Sequence, residues 1–309
     1  MKKILILFFF IIFSQASYSE SLDYKDLKKI SKNNTFMDDK GKPYSEEKIT
    51  DKKNTLLIIY NHGSIADTDQ DPCKLKPKFG YLWHGAVIPA ILNLHNEKIN
   101  ELEIKIYRLC SGVRGMSSKD QKKIKKSIQK GEELNLFSEY KQLKRQKIIL
   151  SKVEELSVQG FENIVLAGYS AGAWASLNLQ SRFPKKFKGS IAFNPAFAGP
   201  KKEWQKKYPQ WGAFRKHQVD IFKQADSLNA IIFAHSNDTF EDLKTLSFLR
   251  EFKNIEFIDY SEIKPSNCKW ADVDKKMPSN KGHNLPQSSC VTKYINDNDY
   301  LIKYLKKIF

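Results

Sequence analysis

The chain has 309 residues, 41% of them hydrophobic, with only 14 Gly and 11 Pro. That supports a sizeable core and excludes a collagen-like or wholly disordered chain. The net charge is +17, but 46 of the 52 basic residues are Lys and 6 are Arg. Nucleic-acid recognition favours the planar Arg fork, so the excess reads as a solvated Lys surface with no nucleic-acid partner, although weak binding to anionic envelope surfaces remains open.

At the N-terminus Met1-Lys2-Lys3 precedes ten unbroken apolar residues, Ile4 to Phe13, and Ser14-Gln15-Ala16 and Ser17-Tyr18-Ser19 both place small residues at the −3 and −1 positions of a cleavage site. This pattern predicts a secretory signal peptide over 1–19, too short to span a bilayer. No later run approaches the length of a membrane span, so no stable membrane insertion is expected. Residues 20–52 are polar, with a possible short helix over 22–30 and a turn around 39–43. Strand-length apolar runs then recur at 56–60, 104–109, 164–167, 190–193, 230–234 and 255–258. Helical patterns lie between or after them at 86–96, 138–158, 171–182, 240–252 and 291–308. This alternation predicts an α/β three-layer sandwich, a mostly parallel central sheet with helices on both faces. Residues 20–309 read as a single domain, with an insertion at about 197–229 and a long loop at about 261–290.

The four cysteines are Cys73, Cys110, Cys268 and Cys290. An even number in an exported chain points to disulfides and to a periplasmic or secreted protein. Of the three possible pairings the sequential one, Cys73–Cys110 and Cys268–Cys290, is favoured. The second bridge would bracket the loop that contains His283 and restrict its freedom. No zinc-like cysteine spacing and no phosphate-cradling loop is present, so no cofactor is expected.

The run at 164–167 leads into Gly168-Tyr169-Ser170-Ala171-Gly172 and then into a helix. A nucleophile on so sharp a turn needs small residues two positions away on each side, and the helix N-terminus behind it favours an oxyanion. On these residues the chain resembles the α/β-hydrolase superfamily, its serine esterase and dienelactone-hydrolase-like branches. Dienelactone hydrolases themselves use Cys as nucleophile, and Ser170 departs from that.

The resemblance implies a chain order of Ser, acid, His. Asp238 follows the strand at 230–234 and His283 follows the last strand, so Ser170, Asp238 and His283 are the candidate catalytic residues. A Ser hydroxyl needs an imidazole to take its proton and a carboxylate to orient that imidazole. Glu241 and Asp242 are fallback acids, and Asp238 could instead cap a helix. The resemblance also implies an oxyanion hole made by the N–H of Ala171 and that of Ser64 (or Ile65) in the turn Asn61-His62-Gly63-Ser64. His62 reads as a buried residue of that turn. The His-Gly-Gly-Gly form seen in some lipases is absent.

Aromatic residues Tyr81, Trp83, Phe197, Trp204, Tyr208 and Trp211, with His84, could line a pocket or only cover the sheet end. Arg114 could meet an acidic substrate group. The expected activity is hydrolysis of a small-molecule carboxylic ester. A peptidase or amidase on the same residues, or a non-catalytic binding protein that keeps the fold, are the alternatives.

Overall fold

A computed structural model describes residues 34–64, 87–111, 140–197, 209–270 and 282–309, together with a few positions near 122–130 and 276–277. The strands are β1 (Thr35–Met37), β2 (Pro43–Tyr44), β3 (Thr55–Asn61), β4 (Lys98–Ile99), β5 (Leu102–Leu109), β6 (Asn163–Tyr169), β7 (Gly189–Phe193), β8 (Ser227–Ala234) and β9 (Lys253–Asp259). The α-helices among the described residues are α1 (Pro89–Leu92), α2 (Lys141–Val158), α3 (Ala171–Arg182), α4 (Pro209–Phe222), α5 (Ser289–Asp297) and α6 (Tyr300–Ile308).

All these strands form one sheet, ordered β2-β1-β5-β3-β6-β7-β8-β9, with β4 pairing to β5. Strands β5 to β9 along this order run parallel, and the short β1, β2 and β4 are antiparallel additions. Because both faces are covered, the central strands are apolar without alternation. In β3, Leu56, Ile58 and Tyr60 face a core built with Ile91 of α1, Ile295 of α5 and Leu301 of α6. Leu57 and Ile59 face Ile149 and Val153 of α2 and Leu179 of α3. On that same side Trp174 of α3 packs with Phe222 of α4 and Ile232 of β8. The result is a three-layer α/β fold, as the alternation predicts.

After β3 the chain crosses to β5 on one side of the sheet, and after β6 it crosses to β7 on the other. The carboxyl ends of β3 and β6 therefore flank a switch point, where open α/β sheets place their ligand crevice. The register puts Asn61 opposite Gly168, so His62-Gly63-Ser64 and Tyr169-Ser170-Ala171 leave the sheet side by side.

Several local expectations differ from the structure. The amphipathic stretch at 240–252 is a series of turns followed by a short 3-10 helix, Ser247–Glu251. Asp238 Oδ1 accepts from the Phe240 and Glu241 N–H groups, and Asp242 Oδ1 from the Thr245 N–H. These local bonds compete with helix formation. The stretch at 291–308 is two helices, broken at Asp299, whose φ is 53°. The run Asn296-Asp297-Asn298-Asp299 supplies residues that tolerate this conformation. The helix predicted at 86–96 shortens to α1. The insertion at 197–229 holds a regular helix, α4, and β8 begins at Ser227 inside it. Among the described residues no helix is long and apolar enough to cross a membrane.

Candidate active site

Ser170 closes β6 and opens α3 with φ 55° and ψ −121°, a backbone conformation that L-residues rarely adopt. Such strain persists only where the surroundings enforce it. Here the Ser170 N–H donates to Phe193 O at 3.0 Å, and its carbonyl accepts from the N–H groups of Trp174 and Ala196. The flanking glycines are required sterically. A Cβ on Gly168 would lie 2.6 Å from the Gly172 carbonyl carbon, and one on Gly172 would strike the backbone of Asn61 and His62. The strand, the helix and the neighbouring turn thus meet with no room for a side chain, and the Ser170 side chain stands at the carboxyl edge.

The Ser170 hydroxyl donates to His283 Nε2 at 2.9 Å, and His283 Nδ1 lies 2.7 Å from Asp238 Oδ2. A carboxylate oxygen accepts, so the Nδ1 proton sits between them and Nε2 is left as an acceptor. All three residues are buried, Ser170 the least so at 8% exposure. The other Asp238 oxygen is taken by backbone N–H groups, which fixes the carboxylate. Glu241 points elsewhere: it makes a two-pronged pair with Arg215 of α4, at 2.8 and 3.0 Å. Burial raises its pKa, and Arg215 offsets this only in part. Asp242 caps the Thr245 N–H.

This is the α/β-hydrolase fold. Its marks are the crossed order of β3 and β5, the strained serine between β6 and α3, and an acid and a histidine following later strands. No family model matches the chain, and no curated protein is significantly similar to it in sequence. Among solved structures, Est1E from Butyrivibrio proteoclasticus is similar at 12% identity, covering 88% of this chain and 93% of that one, with a TM-score of 0.46. An esterase, Pf2001, from Pyrococcus furiosus is similar at 12% identity, covering 82% and 84%, with a TM-score of 0.42. A putative dipeptidyl aminopeptidase IV from Bacteroides ovatus is similar at 13% identity, covering 89% of this chain but 35% of that one, with a TM-score of 0.48.

The loop carrying His283 is fastened by residues that the sequence did not single out. Asn194, at the end of β7 with φ 42°, donates through Nδ2 to Gly282 O at 3.0 Å and His283 O at 2.9 Å. The Tyr260 hydroxyl donates to Asn194 Oδ1 at 2.6 Å. Tyr169, beside the serine, donates to His283 O and shares Asn284 Oδ1. Burial first, and then the Asp238 charge, raise the Tyr169 and Tyr260 pKa values far above the ordinary range, so both remain neutral donors. Cys268–Cys290 is a disulfide spanning this loop. Cys110 is also disulfide-bonded, while its expected partner Cys73 lies outside the described residues.

On the other side of β6, His62 is buried at 1% exposure. Its Nδ1 donates to Gly63 O, and its Nε2 accepts from the Ser111 N–H at 3.2 Å. Burial, then the nearby Arg145 charge, hold its pKa well below the ordinary value. His62 is thus a neutral brace of the turn, away from the Ser170–His283 pair. Ser64 is exposed and Ala171 is buried. Ile65, Tyr81, Trp83, His84, Arg114, Trp204 and Tyr208 lie outside the described residues. Phe197 packs on Trp174 at 5.6 Å and on Tyr140 at 6.0 Å, which makes it part of the cover over α3. Among the described residues no cluster of His, Cys, Asp and Glu could hold a metal ion.

Proposed function

We propose that this chain is an exported serine hydrolase that cleaves carboxylic esters of small molecules. The observation that carries the reading is the continuous relay Ser170–His283–Asp238 on a strained strand–helix turn. As Ser170 Oγ attacks the acyl carbon, His283 Nε2 takes its proton and Asp238 stabilises the imidazolium. The carbonyl oxygen becomes an oxyanion, held by the N–H groups of Ala171 and Ser64. His283 then returns the proton to the leaving alcohol. Water, deprotonated by the same imidazole, releases the acid and restores Ser170. Export is supported by the N-terminal pattern and by the Cys268–Cys290 bridge, since disulfides persist in oxidising compartments. Residues 20–309 would then form the mature catalytic domain.

The test is a panel of p-nitrophenyl esters of increasing acyl length beside aminoacyl anilides, with Ser170→Ala as control. Ester turnover that Ser170→Ala abolishes is expected. Turnover of anilides alone would replace the ester reading with an amidase one.

A further inference from the structure

Two polar side chains one turn apart on α2, Gln142 and Arg145, reach the backbone behind the candidate oxyanion donors. Arg145 donates through Nη1 to His62 O and through Nη2 to Gly63 O, the latter at 3.4 Å. Gln142 Nε2 donates to Ala171 O at 2.9 Å. Both are buried, Arg145 at 1% exposure. Among the described residues Arg145 has no carboxylate partner, and its Nε has no hydrogen-bond partner. Burial alone pushes its pKa down to about 10. Burying an unpaired cation is costly, and a Met or Leu would fill the same space without that cost.

We propose that Arg145 is a positioning residue that sets the direction of the Ser64 N–H in the oxyanion hole, with Gln142 steadying the peptide that follows the Ala171 N–H. This rests on the serine-hydrolase reading. In a trans peptide the carbonyl and the following N–H point to opposite sides. With Gly63 O held by Arg145 and by the His62 ring, the Ser64 N–H is turned away from α2. With Ser170 O accepting from Trp174 and Ala196, the Ala171 N–H points back off the helix N-terminus. Gln142 then fixes the next peptide, Ala171–Gly172. The weak point is Gly63, whose backbone tolerates alternative angles. A peptide flip there would present a carbonyl where the oxyanion needs a donor. The guanidinium opposes this together with the His62 ring, because its two N–H groups hold consecutive carbonyls, whereas Lys offers a single point charge.

The variants Arg145→Met, Arg145→Lys and Gln142→Leu test the proposal. For each, kcat, KM, melting temperature and the affinity of an alkylboronic acid, which forms a tetrahedral adduct on the serine, are measured. Arg145→Met is expected to lower kcat by about 10- to 100-fold with KM within about threefold, as for partial loss of an oxyanion donor. Boronate affinity should fall in step with kcat, and Arg145→Lys should lie between Arg145→Met and wild type. A folded Arg145→Met enzyme with full kcat, or one changed in KM alone with unaltered boronate affinity, would overturn the proposal. If Arg145→Met does not fold, Arg145→Lys and Gln142→Leu decide by the same criteria. Wild-type enzyme that neither hydrolyses esters nor reacts with a fluorophosphonate would overturn the serine-hydrolase reading itself; active wild type with unaffected variants would overturn only the role of Arg145.

Discussion

The turn at His62–Ser64 and the loop carrying His283 approach Ser170 from opposite sides of β6, and they are fastened by different means. The histidine loop is held by neutral donors, Asn194 and Tyr169, and by a covalent bridge, Cys268–Cys290. The turn hangs on a buried guanidinium, on the His62 ring between Gly63 O and the Ser111 N–H, and on the close fit of Gly172 under its backbone. Several independent fastenings tolerate the loss of one, and each hydrogen bond among them contributes only about 1 kcal/mol net. Losing the charged anchor costs more, because it takes the side-chain donor from His62 O and leaves Gly63 O to the His62 ring alone. Arg215 shows the contrast within the same molecule: its charge is met by the Glu241 carboxylate, whereas Arg145 is met by carbonyl dipoles.

The most damaging change should be Gly172→Val. Its side chain would collide with the Asn61 and His62 backbone, displacing the turn and the serine together. Ester hydrolysis should fall below detection and the melting temperature should drop; an active, stable variant would show that the turn can move without consequence. Asn194→Ala should be milder. It removes the bonds to Gly282 and His283 but leaves Tyr169 and the disulfide, so kcat should fall by about tenfold and stability by about 1–3 kcal/mol in urea unfolding. A loss as large as that of Gly172→Val would mean that the histidine loop is the more fragile side. Reducing Cys268–Cys290 should lower stability by about 3 kcal/mol in the chain-entropy model, with kcat retained within about threefold. Inactivation on verified reduction would show that the bridge, not Asn194 and Tyr169, positions His283.

The smallest effect concerns pH. His62 is kept neutral in the folded state, with a pKa well below the ordinary one. In the unfolded chain a His titrates near pH 6.5 and then binds a proton that the native state refuses. Stability from this group is therefore complete above about pH 7 and declines on acidification, by roughly 1.4 kcal/mol per pH unit below 6.5. Urea midpoints between pH 7.5 and 5.5 should fall less steeply in His62→Gln than in wild type. Equal slopes would remove His62 from the acid response.

Much of this arrangement is legible in the sequence, for physical reasons that can be named. Strands such as β3 and β6 are buried on both faces and read as apolar runs. The Ser170 turn is legible because so sharp a passage from strand to helix demands small neighbours, here Gly168 and Gly172. Asp238 and His283 come from chain order. The hairpin of β1 and β2 is too short to show a pattern, although its turn at Gly41, with φ 69°, is readable. The stretch after Asp238 misleads because its apolar spacing suits a helix, while Asp238 and Asp242 capture the backbone N–H groups locally. Arg145 is hidden for another reason. It lies on the buried side of α2, near Gln142, Gln146 and Ile149, and only the fold shows that the carbonyls it meets belong to a turn more than eighty residues earlier.

The central claim is that Ser170 is a nucleophile activated by His283. Incubating the purified protein with a fluorophosphonate and mapping the adduct by mass spectrometry tests it directly. One phosphonyl group on Ser170 is expected, absent in Ser170→Ala and formed at least about 10³-fold more slowly in a folded His283→Ala variant. Labelling at another residue, or an equal rate without His283, would contradict it.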